Sequence, residues 1–203
     1  MHHMTRKERK AAITAYHEAG HAVAHVMLGE DFDYVTIVPN DDSAGHIEMT
    51  RPADIVEAWQ NGDRLDNARV TQYTEHEVIG ILAGSEAQRL FFPRCQWRAG
   101  HGIVEAVDLT LPHGLGVKPK PNMTIMTDGG DAQNAWRLVL DLHDGDADVA
   151  REHYVYLGFR TRALVRAHRD KIDRVAQALL KHKTLSADQV RTVMFPEFVK
   201  VVA

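Results

Sequence analysis

The segment YHEAGHAV spans residues 16–23 and contains the pattern H-E-x-x-H, in which His17 and His21 are four residues apart. Side chains with this spacing lie one above the other on a helix, with β-carbons about 5–6 Å apart, so both imidazoles can reach one zinc ion. Glu18 lies about 100° further round the helix, beside the coordination position left open. There it can take a proton from a water molecule that the metal activates. The pattern therefore predicts a hydrolytic zinc site.

The neighbouring residues favour this interpretation over an amphipathic surface helix that carries two exposed histidines. A capping box, Thr5 with Glu8, predicts a helix from residue 5 to about residue 28, which contains the whole motif. Small residues around the motif let another backbone approach it; they are Ala19, Gly20, Ala22 and Ala24. His25 is about 12 Å along the helix axis from His17, too far to share one ion with both histidines, so we expect it to be structural.

A third protein ligand must come from elsewhere in the chain. Chemistry alone leaves several side chains open, and spacing does not choose among them: Asp128, Asp131, Asp108, Glu48 and His113.

Composition is that of a globular protein of 203 residues, with 44% hydrophobic and 26% charged residues. Cys95 is the only cysteine, which excludes a disulfide framework within the chain and a cysteine zinc cluster. We find neither an apolar run of about 20 residues nor an apolar signal region, so we expect no membrane segment and a cytoplasmic location.

Charge argues against nucleic acid as a partner. The chain has 24 basic and 28 acidic side chains, a net charge of −4, whereas phosphate binding needs a basic surface. The distribution is uneven, because residues 1–150 carry 13 of the basic and 23 of the acidic side chains.

The hydrophobic periodicity predicts a mainly helical α+β protein. Two neighbouring strands are expected at residues 34–39 and 45–49. Further helices are expected at residues 66–92, 131–142, 147–168, 170–182 and 186–194. Residues 93–127 contain four prolines and four glycines, and they are typical of a lid over the site or of a surface loop. A short strand at residues 103–111, and lid contacts from Trp97, His101 or His113, are further expectations there.

Residues 16–23 closely resemble the zinc helix of FtsH-type proteases, the membrane-anchored AAA+ metalloproteases. Residues 35–39 resemble the strand that follows in that family, and residues from Gly45 onwards resemble its edge strand on the substrate side. Residues 82–90 are similar to its Gly-Arg-Ala-Ala-Glu-Glu-Leu helix, and residues 169–185 to its C-terminal helical segment. Asp131 falls where that family has the aspartate of an Asn-Asp-Leu sequence. The resemblance covers most of residues 10–194 in order.

This resemblance implies the peptidase fold of that family, a zincin-like H-E-x-x-H helix with a small sheet and a C-terminal helical bundle. It implies Zn²⁺ held by His17, His21 and Asp131, with Glu18 as the base of a metalloendopeptidase that cleaves polypeptides. The expected organisation is one domain over residues 1–203. Residues 5–92 form the zinc helix, sheet and long helix, 93–128 the irregular insertion, and 129–203 the third-ligand helix and bundle.

Two departures from the family define the alternatives. Gln88 and Arg89 replace its paired glutamates, and the chain has neither a G-x-x-x-x-G-K-[ST] phosphate loop nor a membrane segment. We therefore expect a stand-alone peptidase domain without the ATPase module. It would act on unfolded or short polypeptides, as a homo-oligomer or with a separate unfoldase. The alternatives are a zinc-bound interaction module without catalysis and a hydrolase of small non-peptide amides.

Overall fold

The computed structural model describes residues 4–41, 43–61, 67–93 and 130–199. Within these ranges the elements are α1 (Arg6–Leu28), β1 (Phe32–Thr36), β2 (His46–Met49), α2 (Ala53–Asn61), α3 (Ala68–Phe91), α4 (Asp131–Leu142), α5 (Ala147–Ala167), α6 (Arg169–His182), β3 (Thr184–Ser186), α7 (Ala187–Met194) and α8 (Pro196–Val199). The predicted class, predominantly helical α+β, is confirmed. The strand expected at residues 103–111 and the contacts expected from a lid lie outside the described residues.

Helix α1 lies at the centre of the structure, between α3 on one side and α6 and the sheet on the other. It begins at the predicted capping box, where the Thr5 hydroxyl accepts from the Glu8 amide at 3.2 Å and the Glu8 carboxylate accepts from the Thr5 amide at 2.7 Å. The helix can be central because its buried positions are mostly small. Ala15, Ala19 and Ala22 are completely buried.

Helices α1 and α3 approach each other closely at glycine residues. A β-carbon added to Gly20 would lie only 2.5 Å from the carbonyl oxygen of Ala83, so the backbone of α3 occupies the space of a side chain. On α3, the ring of His25 fills the corresponding space at Gly80, where a β-carbon would lie 2.2 Å from its Cε1 atom. This packing fixes how α3 faces the H-E-x-x-H segment.

The three strands form one antiparallel sheet in the order β2-β1-β3. In the central strand β1, Val35 lies opposite Ile47 of β2 and Leu185 of β3. The two predicted strands are neighbours, as expected, but the prediction of residues 34–39 was shifted, because β1 begins two residues earlier, at Phe32, and ends three residues earlier, at Thr36. Phe32 is buried, so its side chain packs in the core and the strand extends to include it. The outer edge of β2 has no strand partner among the described residues.

The core consists of two main apolar clusters. One joins α1, the sheet, α6 and α7, and the other joins α3, α4 and α5. A small third cluster, with Ile55, Ala58, Val70 and Tyr73, packs α2 on the start of α3. None of the described helices combines the length and the apolar character needed to cross a bilayer.

We expect His25 to make the fold sensitive to acid. The side chain is 1% exposed, and burial lowers its pKa from 6.5 to about 3. The His25 imidazole therefore stays neutral in the folded chain at a pH where it is protonated in the unfolded chain, below about pH 6.5. Stability that is present at neutral pH is therefore lost on acidification. At pH 5 the difference is about 2 kcal/mol of unfolding free energy.

Denaturant titrations between pH 7 and pH 5, in chelator so that metal release does not contribute, measure this effect. A His25→Leu variant should lose much less stability over that range than the wild type, whatever its stability at pH 7. His182→Gln, at an exposed position, is the control. Equal losses in His25→Leu and the wild type would contradict the assignment.

Candidate metal centre

Helix α1 brings the two histidines of the motif together one turn apart. Their Nε2 atoms are 2.9 Å apart, and the rings stand nearly perpendicular, at 86°. His21 is buried, whereas the His17 side chain is 20% exposed. The two ring nitrogens thus converge on one point that is open to solvent on the His17 side.

Asp131, at the start of α4, supplies a carboxylate at the same point. Its Oδ2 atom lies 2.9 Å from Nε2 of His17 and 3.4 Å from Nε2 of His21. Gly130, the residue before α4, has a φ angle of +99°, which a residue with a side chain rarely adopts. The buried Tyr154 of α5 donates a hydrogen bond to the carbonyl of Ala132 at 3.1 Å and so fixes the first turn of α4.

A backbone carbonyl determines which nitrogen of His21 faces this point. Nδ1 of His21 lies 2.8 Å from the carbonyl oxygen of Gly80 on α3. Because a carbonyl oxygen only accepts, Nδ1 carries a proton, and Nε2 is the nitrogen that faces His17 and Asp131. A histidine that binds a metal through Nε2 requires this ring orientation.

The three groups are strongly coupled electrostatically. Burial alone would lower the pKa of His21, but the Asp131 carboxylate beside it outweighs burial and raises that pKa to about 9. Burial alone would raise the pKa of Asp131, yet the two histidines hold it well below its usual value. The carboxylate therefore stays ionised, which is the form that binds a metal.

The donor set fits zinc. Ligands at about 2.0–2.1 Å from a tetrahedral ion are about 3.3 Å from one another, close to the 2.9 and 3.4 Å found here. Two imidazoles and a carboxylate are ligands that zinc accepts, and three protein ligands leave one position open, as in catalytic sites. Among the described residues this is the one group of three or more such side chains close enough to hold a metal ion.

Glu18 lies beside this group without belonging to it. It is 4% exposed, and burial raises its pKa above the usual value, while His21 and His17 oppose the rise. A β-carbon added to Gly45 would lie 2.9 Å from Oε1 of Glu18, so the carboxylate is held against the start of β2. A raised pKa makes this carboxylate a better proton acceptor than an exposed glutamate.

Of the other candidates for the third ligand, Glu48 does not join the group, and Asp108, His113 and Asp128 lie outside the described residues. The sequence gives no reason to single out His46, whose Nε2 is 3.2 Å from the Tyr34 hydroxyl and which lowers the pKa of Glu18 electrostatically. A single histidine in a short strand carries no spacing signal that could have indicated this.

No protein-family model matches the chain. Sequence relatives are found over almost its whole length. These relatives are ATP-dependent zinc metalloproteases of the FtsH type. An FtsH 2 of Methylacidiphilum infernorum is 29% identical over 94% of the chain, and FtsH of Bacillus subtilis is 26% identical over 93%. The predicted resemblance is confirmed, and the helical α+β fold fits the FtsH peptidase domain.

The chain spans only about a third or less of the length of the FtsH relatives it matches. The matched region is 30% of the M. infernorum protein, 29% of the B. subtilis protein and 32% of FtsH 2 of Sorangium cellulosum. The homology supports a relationship to the protease domain of these proteins. It also supports zinc as the metal, because the relatives are named zinc metalloproteases.

We expect Gly84→Ala to weaken zinc binding although Gly84 is not a ligand. Its β-carbon would lie 2.4 Å from Nε2 of His21 and 2.9 Å from Cε1 of His17, so both imidazoles must move. Zinc titration against a competing chelator measures the effect, which we expect at about 10–100-fold, as for groups that support metal ligands. Ser85→Ala, on the same helix, is the matched control. Unchanged zinc affinity in Gly84→Ala would contradict the geometry.

Proposed function

We propose that the chain is a zinc-dependent metalloendopeptidase that cleaves unfolded or short polypeptides. His17, His21 and Asp131 are its metal ligands and Glu18 is its general base. The observation that carries this proposal is that three donor atoms converge at 2.9–3.4 Å, with a buried carboxylate beside them. Homology over 92–97% of the chain to proteins named as zinc metalloproteases supports the same class.

When bound, a zinc ion makes a water molecule acidic near neutral pH and polarises the peptide carbonyl. Glu18 accepts the proton of the attacking water, for which its raised pKa suits it, and then delivers that proton to the leaving amine. Asp131 balances the positive charge of the site, and Gly80 keeps the His21 ring in its orientation through the 2.8 Å hydrogen bond.

The substrate backbone lies along β2 in this proposal. The outer edge of β2 has no strand partner among the described residues, and unpaired strand groups can hold an extended peptide. The strand starts beside Glu18, because Gly45 packs against that carboxylate. A peptide paired with β2 therefore passes close to Glu18.

Substituting Glu18 tests the chemical role. We expect Glu18→Gln to keep its zinc and to lose about 10²–10⁴-fold in the rate of cleaving an unfolded protein, the usual contribution of a placed base. Fragment formation from a generic unfolded protein, with and without chelator, measures this. Glu57→Gln, an exposed glutamate of α2, is the control.

Full activity in Glu18→Gln would exclude Glu18 as the base. If the zinc-loaded wild type gives no chelator-sensitive fragments at all, a zinc-bound interaction module without catalysis becomes the better interpretation.

Measuring the number of zinc ions bound per chain tests whether Asp131 is the third ligand. We expect the wild type to bind one zinc ion per chain and Asp131→Ala to lose most of it, because two imidazoles alone hold zinc weakly. Asp128→Ala is the matched control and should stay loaded. The opposite pattern would move the third ligand to Asp128.

An unfolding ATPase and a homo-oligomer are further proposals for the partners of this chain. They rest on the relatives, whose names describe ATP-dependent proteases.

A further inference from the structure

A groove of about 640 Å³ runs between the first half of α1 and the end of β1. Its floor is formed by consecutive residues after β1, Ile37, Val38 and Pro39, and α1 contributes Ala11 and Thr14 to its wall. Val38 is 51% exposed, so the floor presents an apolar side chain to a ligand.

One end of the groove lies close to Glu18 of the candidate catalytic site. Thr14 is four residues before Glu18 on α1 and so lies on the same face of that helix. Ala44 lines the groove and directly precedes Gly45, which packs against the Glu18 carboxylate. A polypeptide that passes Glu18 along β2 can therefore continue into the groove.

The rim of the groove is positively charged. Lys7, Lys10 and Lys183 line it, with Asp41 as the one acidic side chain in its described lining. Among the described residues, the ammonium groups of Lys7 and Lys10 make no hydrogen bond or ion pair, whereas the Lys183 ammonium donates to the carbonyl of Leu180 at 2.7 Å. Two of the three lysines thus have free charges above an apolar floor.

Stability of α1 does not explain these lysines. Positive charge in the first turn of a helix opposes the helix dipole, so Lys7 does not stabilise the N-terminal end of α1, and Lys10 lies beyond the first turn, where the dipole has little effect. They also stand out against residues 1–150, in which acidic side chains outnumber basic ones by 23 to 13. Their placement suits a negatively charged ligand.

We propose that this groove is a subsite for acidic polypeptide segments that also carry apolar side chains. The apolar floor takes up an apolar side chain of the peptide, and Lys7 and Lys10 pair with neighbouring carboxylates. The inference rests on the proposed function, because it names the class of polypeptide that the site selects.

Binding of two matched fluorescent peptides tests the subsite. Both contain the same leucines, and one carries Asp and Glu where the other carries Asn and Gln. Anisotropy is measured with the zinc-loaded Glu18→Gln variant, so neither peptide needs to be cleaved. We expect the acidic peptide to bind about tenfold more tightly, which corresponds to two exposed ion pairs. This preference should shrink between about 0.05 M and about 0.5 M salt, as screening increases.

Replacing both free lysines identifies the source of the preference. In the Glu18→Gln background, Lys7→Gln with Lys10→Gln should abolish the preference for the acidic peptide. Lys181→Gln, an exposed lysine outside the groove, should keep it. The double substitution removes unfavourable charge from α1, so a lower melting temperature is not expected. Equal affinities for the two peptides, or a preference that survives the double substitution, overturns the proposal.

The experiments distinguish an incorrect subsite from an incorrect peptidase assignment. A selective Glu18→Gln variant whose wild-type parent cleaves nothing supports the groove and contradicts the peptidase. A wild type that cleaves both peptides with equal kcat/KM, and a variant that binds them equally, contradict the groove and leave the peptidase intact.

Discussion

The close contact between α1 and α3 is the constraint on which the candidate site depends. Packed helices usually keep their axes 8–10 Å apart, with side chains between them. Here Gly20 meets the backbone of α3 directly, and the glycines of α3 leave room for imidazole rings. This proximity lets the Gly80 carbonyl reach His21, which sets the ring orientation that a metal requires. The glycines thus set the position and orientation of the two imidazole rings.

The remaining donor reaches the site through a different part of the core. Asp131 stands at the first position of α4, and α4 packs with α3 and α5 in the second apolar cluster. Tyr154 of α5 fixes the first turn of α4 by a hydrogen bond. The two apolar clusters therefore meet at the site, and a change in how they pack would change the distance between carboxylate and imidazoles.

The sequence was most informative where chemistry and periodicity coincide. The H-E-x-x-H spacing placed His17, His21 and Glu18 correctly on α1, and the capping box located its start. Asp131 was predicted as the third ligand only from the resemblance, because spacing alone left five side chains as candidates. The roles of these residues and the single-domain organisation remain predictions.

The features that the sequence did not predict form through tertiary contacts. Strand β3 has three residues, too few for a periodic pattern, and it forms because β1 offers it a partner. We interpreted Thr184 and Leu185 as part of the helical segment. Helix α2 was also missed; it is short and packs on α3 largely through Ile55 and Ala58. The Gly80 carbonyl has no sequence signal, since any residue has a carbonyl.

The pairing of β1 with β3 joins residues about 150 positions apart in the chain. During synthesis, the first 130 residues can form α1 and the β1–β2 hairpin, but the central strand lacks its second neighbour until Thr184–Ser186 leave the ribosome. Closing so long a loop costs entropy before any contact repays it, so the sheet is completed late in folding. A nascent chain thus lacks the finished scaffold of the candidate site until β3 has been made.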